Sequence, residues 1–127
     1  MPLTHISLRS GRSEASKQAI FDSVHRAMHE TFDVPDDNEF MAITEHDAAS
    51  LRYSASYLGI ERSDDVVLIQ VTANDTRTLE QKKALFRRMA ELLHERAGLR
   101  PQDVFVSLVE VRKENWSLGN GLAQYAS

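Results

Sequence analysis

The sequence predicts an α+β fold: duplicated β-α-β units forming a four-stranded, mainly parallel-paired sheet with two helices on one face, oligomerising through the other. Three observations carry this expectation. Two amphipathic helical segments are each flanked by strand-like runs, the two halves of the chain superimpose with a constant offset, and the strands of the second half are apolar at nearly every position.

The elements follow in order. In "PLTHISL", Leu3, His5 and Ser7 alternate with Thr4, Ile6 and Leu8, as in an edge-like strand. A helix follows in "SGRSEASKQAIFDSVHRAMHETF", with Ser13 as N-cap, Glu14 in the first turn, and Ile20, Val24, Ala27 and Met28 on one face. "VPDDN" breaks it, and "EFMAITEH" returns as a strand. "DVVLIQVTA" is the next strand, "TLEQKKALFRRMAELLHERAG" a helix closed by Gly98, and "DVFVSLVEV" the last strand. The segment "DAASLRYSASYLGIERSD" between the halves reads either as a hairpin or extended arm packed on a neighbour, or as a surface loop.

A shift of 65 (82 − 17) overlays the halves. Arg12 then meets Arg77, Lys17 meets Lys82, Phe21 meets Phe86, and His29-Glu30 meets His94-Glu95. The apolar faces (Ile20 on Leu85, Val24 on Met89, Met28 on Leu93) and the N-cap residues Ser13 and Thr78 coincide as well. The 127 residues thus read as a single domain, with a first unit at about 2–60 and a second at about 64–127. Each unit is a right-handed crossover, and two side by side leave one sheet face bare. No element remains to cover it, so self-association is expected.

Composition narrows the function classes. A net charge of −4 disfavours nucleic acid and anionic membrane as partners. The absence of cysteine excludes disulfides and thiolate metal sites and suits a reducing cytoplasm. No signal-peptide pattern opens the chain, and no apolar run approaches the ~20 residues of a membrane span. His25 and His29 share a helix face at i, i+4, but they form no H-E-x-x-H pattern and have no obvious third ligand, so no metal is expected.

Pro2 has two readings. At the mouth of a strand it costs no ladder hydrogen bond. With Met1 removed, it becomes a free secondary amine with an ordinary value near ~8, which an apolar pocket beside a cation lowers, so that it can carry protons or attack a carbonyl. The order Pro2, strand, "GRS" at a helix start, a second β-α-β copy, and the tail "ENWSLGNGLAQY" resembles the tautomerase superfamily of amino-terminal proline enzymes along the whole chain. The "VP" turn, "TEHD" strand, "EQK" helix and "WSLGNG" tail are most similar to its fused two-unit branch, that of malonate semialdehyde decarboxylase and its relatives.

The resemblance implies a cofactor-free homotrimer acting on a small carboxylate, with Pro2 at the bottom of a pocket. It implies Arg77 as the carboxylate-binding residue, for which a guanidinium supplies a bidentate grip. Arg12 corresponds to the prototype's "GRS" arginine and is either a second substrate contact or structural. Two departures bear on the reaction: "TRT" holds one arginine where decarboxylases have Arg-x-Arg, and Asn38, with Asp37 before it, stands where they have a water-positioning aspartate. Trp116 and Leu118 would wall the pocket, with Gly119 and Gly121 allowing a hairpin turn. His29 is a further substrate-binding candidate, by likeness to a hydratase-dehalogenase. Keto–enol tautomerisation of a 2-oxo acid is the leading expectation, and decarboxylation or hydration of a three-carbon acid is second. A non-catalytic oligomeric binding protein is the alternative from another class.

Overall fold

A computed structural model describes residues 2–126. Four strands, β1 (Leu3–Arg9), β2 (Met41–His46), β3 (Val67–Asn74) and β4 (Val104–Val111), form one sheet in the order β2-β1-β3-β4. The β1–β2 and β3–β4 pairs are parallel and the central β1–β3 pair is antiparallel. Helices α1 (Glu14–Phe32) and α2 (Leu79–Ala97) make the two crossovers and pack on each other. The β-α-β duplication expected from sequence is therefore present. The edge-like reading of β1 is corrected: it is an inner strand. Its alternation reflects a sheet covered by helices on one side only, which period-two patterning cannot distinguish from an edge.

The covered face carries Ile6 and Leu8 of β1 and Val67, Ile69, Val71 and Ala73 of β3, all at most 1% exposed. Against them lie Ile20, Val24, Ala27 and Met28 of α1 and Leu85, Met89, Leu92 and Leu93 of α2. Each large side chain buried here contributes about 1.5–3 kcal/mol. Thr4 is also buried, with its hydroxyl directed at the Met28 sulfur. On the other face Leu3, Phe40 and Phe105 are 40%, 52% and 48% exposed in the single chain.

The caps follow the sequence. Ser13 Oγ accepts from Ser16 N at 3.1 Å, and Thr78 and Gln81 form a reciprocal capping box. Gly98 closes α2 in the left-handed conformation, and Asp33, its counterpart under the 65-residue shift, does the same for α1 at φ 57°.

The duplication extends to side chains. Lys17 meets Glu45 at 2.8 Å and Lys82 meets Glu110 at 2.7 Å. His29 Nδ1 donates to Val34 O at 2.8 Å and His94 Nδ1 to Leu99 O at 3.0 Å. In the central pair Thr4 faces Val71 and Ile6 faces Ile69, pairings that the same shift exchanges, so a pseudo-two-fold axis passes at His5–Gln70.

The 47–64 segment folds back on its own chain as a loop containing a short 3-10 turn at Tyr57–Gly59. The "ERSDD" stretch closes it. Arg62 Nη1 donates to Ser54 O, Tyr57 O and Ile60 O at 3.1–3.4 Å. Ser63 donates through N and Oγ to the fully buried Asp103, both at 2.7 Å. No helix is long and apolar enough to cross a membrane among the described residues.

Glu30 joins the two helices. Its carboxylate accepts from Arg26 Nε and Arg88 Nε, both at 2.9 Å, and the Arg88 hydrogen bond holds it below the ordinary carboxylate range. A carboxyl lowered on folding stabilises above its unfolded value, and that contribution disappears as pH falls through the folded value. Glu30→Gln is therefore expected to lower the urea midpoint slightly at pH 7, with the gap to the parent closing at pH below the ordinary carboxylate range.

Candidate active site

One end of the sheet gathers the chemistry. Because β1 and β3 are antiparallel, the start of β1 lies beside the end of β3, with Leu3 opposite Thr72. Parallel pairing brings the end of β4 alongside, Val111 opposite Asn74, and the start of β2 follows β1 through Thr4 N→Phe40 O at 3.0 Å. The end of α1 and the start of α2 close the same end by connectivity.

Pro2 is buried at this end, in a cavity of about 200 Å³ lined by Pro2, Leu3, Phe40, Trp116, Ser117 and Leu118. The chain reaches it from β4 through a short 3-10 turn, Lys113–Asn115. Trp116 is then fixed by its indole N–H, which donates to Asn74 Oδ1 at 2.7 Å. Asn74, 8% exposed, has its acceptor used in this way. The tail beyond is rolled up rather than paired as strands. Gly119, Asn120 and Gly121 all take positive φ, Gln124 Oε1 accepts from Leu118 N at 2.8 Å, and Gln124 Nε2 donates to Gly119 O at 2.7 Å. The expected hairpin at these glycines is thus an irregular turn, with no strand on either side of it in residues 116–126.

Arg77 stands at the same end, one residue before the α2 N-cap. It does not line the Pro2 cavity. Its Nη2 donates to Phe32 O at 3.0 Å and its guanidinium stacks 4.8 Å from the Phe32 ring centroid. Burial pulls Arg77 below its ordinary value, opposed by Asp33 and Tyr125, and an arginine so placed remains cationic at neutral pH.

The remaining sequence-predicted residues lie elsewhere. Arg12 is at the opposite end of β1, roughly 20 Å from Pro2 for a strand of this length. There it donates to Ser16 Oγ at 3.2 Å and approaches Asp65 at 3.8 Å. A right-handed crossover necessarily starts its helix at the far end of the strand, so within one chain Arg12 does not meet Pro2. His29 is occupied by the carbonyl after α1, as His94 is after α2. Asp37 is exposed in the turn after Pro35. Asn38 donates its N–H to Pro35 O at 3.0 Å and keeps a buried Oδ1 with no partner among the described residues. No group of three or more potential metal ligands is gathered among the described residues. The fate of Met1 lies outside the described residues.

Phe32, Phe40, Asn74 and Tyr125 belong to this end and were not singled out in the sequence. Phe40 carried a signal, since the 65-residue shift places it on Phe105. Asn74 carried a weaker one, as the polar residue ending an apolar strand.

A family model described as a tautomerase enzyme matches residues 38–119, and a second with the same description matches residues 2–52. The chain belongs to the tautomerase family and is an enzyme of the tautomerase/decarboxylase type, which removes the alternative of a non-catalytic binding protein. It is 42% identical to the probable tautomerase YusQ of Bacillus subtilis (strain 168) over 124 residues, 98% of each chain. Among solved structures it is similar to malonate semialdehyde decarboxylase (TM-score 0.92, 32% identity, 97% of this chain and 95% of that one). It is also similar to the FG41 malonate semialdehyde decarboxylase inhibited by 3-bromopropiolate (TM-score 0.91, 36% identity, 97% and 93%).

Trp116 is the only tryptophan in the chain, so its emission reports on the cavity wall. Asn74→Ala removes the acceptor of its half-buried indole N–H, at a cost of about 1 kcal/mol, since water can partly replace the lost partner. The expected outcome is a red-shifted emission maximum and a lower urea midpoint. An unchanged maximum would show that the hydrogen bond does not hold the ring.

Proposed function

We propose that this enzyme catalyses keto–enol tautomerisation of a small 2-oxo carboxylic acid, with Pro2 as the acid–base group once Met1 has been removed. The observation that carries the reading is the burial of Pro2 at the base of an apolar cavity walled by Phe40, Trp116 and Leu118. An amine in such surroundings is poorly solvated as ammonium, so its value falls and a neutral base is present at pH 7. The neutral nitrogen takes the enol hydroxyl proton as the carbonyl forms, and the resulting ammonium returns a proton to the adjacent carbon. The pair of steps consumes nothing and needs no cofactor. Trp116, Leu118 and Phe40 exclude water and hold the apolar body of the substrate.

Arg77 supplies the cation. Only its Nη2 is taken up by a protein acceptor among the described residues, leaving Nε and Nη1 to meet a carboxylate. Arg12 and His29, engaged elsewhere in the chain, are structural in this reading. The homotrimer implied by the family resemblance would cover the middle of the helix-free sheet face, between the two ends, where Ala42, Thr44, Gln70 and Ser107 are exposed in the single chain. A second reading, decarboxylation or hydration of a three-carbon acid, draws on the malonate semialdehyde decarboxylases among the similar structures and on Asn38, whose unpaired buried Oδ1 can hold a water while Asp37 faces solvent.

Pro2→Ala is expected to lower kcat/KM for an enol acid such as phenylenolpyruvate by on the order of 10²-fold or more, the usual share of a positioned general base. In the parent, activity should rise with pH through an apparent value below the ordinary range of an α-amine. Unchanged turnover in Pro2→Ala, or full activity in a sample whose intact mass retains Met1, would overturn the mechanism. Arg77→Ala should lower kcat/KM by about 10–100-fold, mainly through KM, with Arg77→Lys partly restoring it. Turnover of malonate semialdehyde in place of the enol acid would establish the second reading.

A further inference from the structure

The duplication that positions Pro2 has built a second cavity. It lies at the other end of the sheet, has a volume of about 250 Å³, and is lined by Arg52, Tyr53, Ser54, Tyr57, Arg62, Val66, Leu68 and Phe105. Under the 65-residue shift Leu3 becomes Leu68, Phe40 becomes Phe105, Ser117 becomes Arg52 and Leu118 becomes Tyr53, so four of the residues lining the first cavity have their counterparts in the second. Trp116 corresponds to Leu51, which is 5% exposed. The 47–64 loop therefore takes the place that the 112–126 segment takes over Pro2.

Two differences decide what the second cavity can do. The counterpart of Pro2 is Val67, the first residue of β3, which follows the lining Val66 in mid-chain, so its nitrogen is an amide without a basic lone pair. No amine chemistry is available there. Against that loss, the cavity has gained cations. Arg52 replaces Ser117 and forms no ion pair or hydrogen bond with another of the described residues, while Arg62 is fixed on the wall by the three carbonyls that accept from its Nη1. The nearby acid does not neutralise them. Asp64 accepts from Tyr53 Oη at 2.8 Å and lies 3.6 Å from Arg9, and its hydrogen bond holds the Tyr53 phenol above its ordinary value, as a donor. The remaining walls, Val66, Leu68, Phe105 and the faces of Tyr53 and Tyr57, are apolar.

We infer that this second cavity is a binding site for a small monocarboxylate with a flat apolar body, which it holds without turning over. Arg52 meets the carboxylate at the rim, Arg62 adds its field from the wall, and Phe105 and Leu68 take the apolar part. The inference stands on the cavity's own residues and does not require the chemistry proposed for Pro2.

Benzoate, inert and of suitable size, is the probe. The methyl resonances of Val66 and Leu68 report the second cavity, and those of Leu3 and Leu118 together with Trp116 emission report the first. Titrating benzoate into the full chain is expected to shift the Val66 and Leu68 methyls saturably. Arg52→Gln should weaken that response by about tenfold or more, as expected for losing a charged hydrogen-bond partner, while Arg52→Lys retains most of it. Arg52 is exposed, so neither variant disturbs the core. The Leu3, Leu118 and Trp116 responses should be the same in all three proteins. Methyls of Val66 and Leu68 that stay fixed through tens of millimolar benzoate would overturn the inference, and so would a shift that Arg52→Gln leaves at full affinity. A first cavity that fails to respond while the second does would count against the reading of Pro2 and leave this one standing.

Discussion

The antiparallel pairing of β1 with β3 is the constraint on which the rest of the molecule depends. Each half contributes two parallel strands and a crossover, but the lining of the Pro2 cavity is drawn from both. Joining the halves head to tail through their first strands sets the start of one against the end of the other. Pro2, the Asn74 end of β3 and the Trp116 turn after β4 then converge. Nothing local to Pro2 accomplishes this. The proline is supplied by one unit, whereas Trp116 and Leu118 of the cavity wall, and Arg77 at the same end of the sheet, are supplied by the other.

The two helices hold that arrangement rigidly for a simple reason. A sheet covered on one side must present its apolar alternation to that side, and both helices meet it with residues spaced three and four apart. The linkage between helices is polar at the surface, through Glu30 with Arg26 and Arg88, and apolar beneath. The end of α1 has a second role, since the Phe32 carbonyl and ring anchor the guanidinium of Arg77. The orientation of that cation is thus set by core packing rather than by a surface loop.

Much of this was legible in the sequence, because it is periodic or repeated. Ser13, Thr78 and Gly98 signalled the helix ends by chemistry that acts within one turn, and the 65-residue repeat signalled the architecture. Pro2, Trp116 and Leu118 could be named together and do share a cavity. What could not be read was which end of a strand a residue occupies relative to another element. Arg12 and Arg77 are equivalent in the repeat, yet only Arg77 stands on the Pro2 side, a consequence of strand pairing that leaves no local mark. Asp37 and Asn38 are adjacent, and only the turn after Pro35 decides which is turned inward. Asp33 gave no warning either, since its left-handed cap is occupied by glycine in the other half.

The shared clasp of His29 and His94 has a consequence for how such a chain changes over generations. Both halves use the same helix ends, caps and lysine–glutamate ties, so substitutions in the frame are felt alike in each. The chemical demand falls unequally. In the reading proposed for Pro2, substitutions around the second cavity leave the first end intact, which makes that end the place where a paralogue can change its ligand without losing the chemistry of the other.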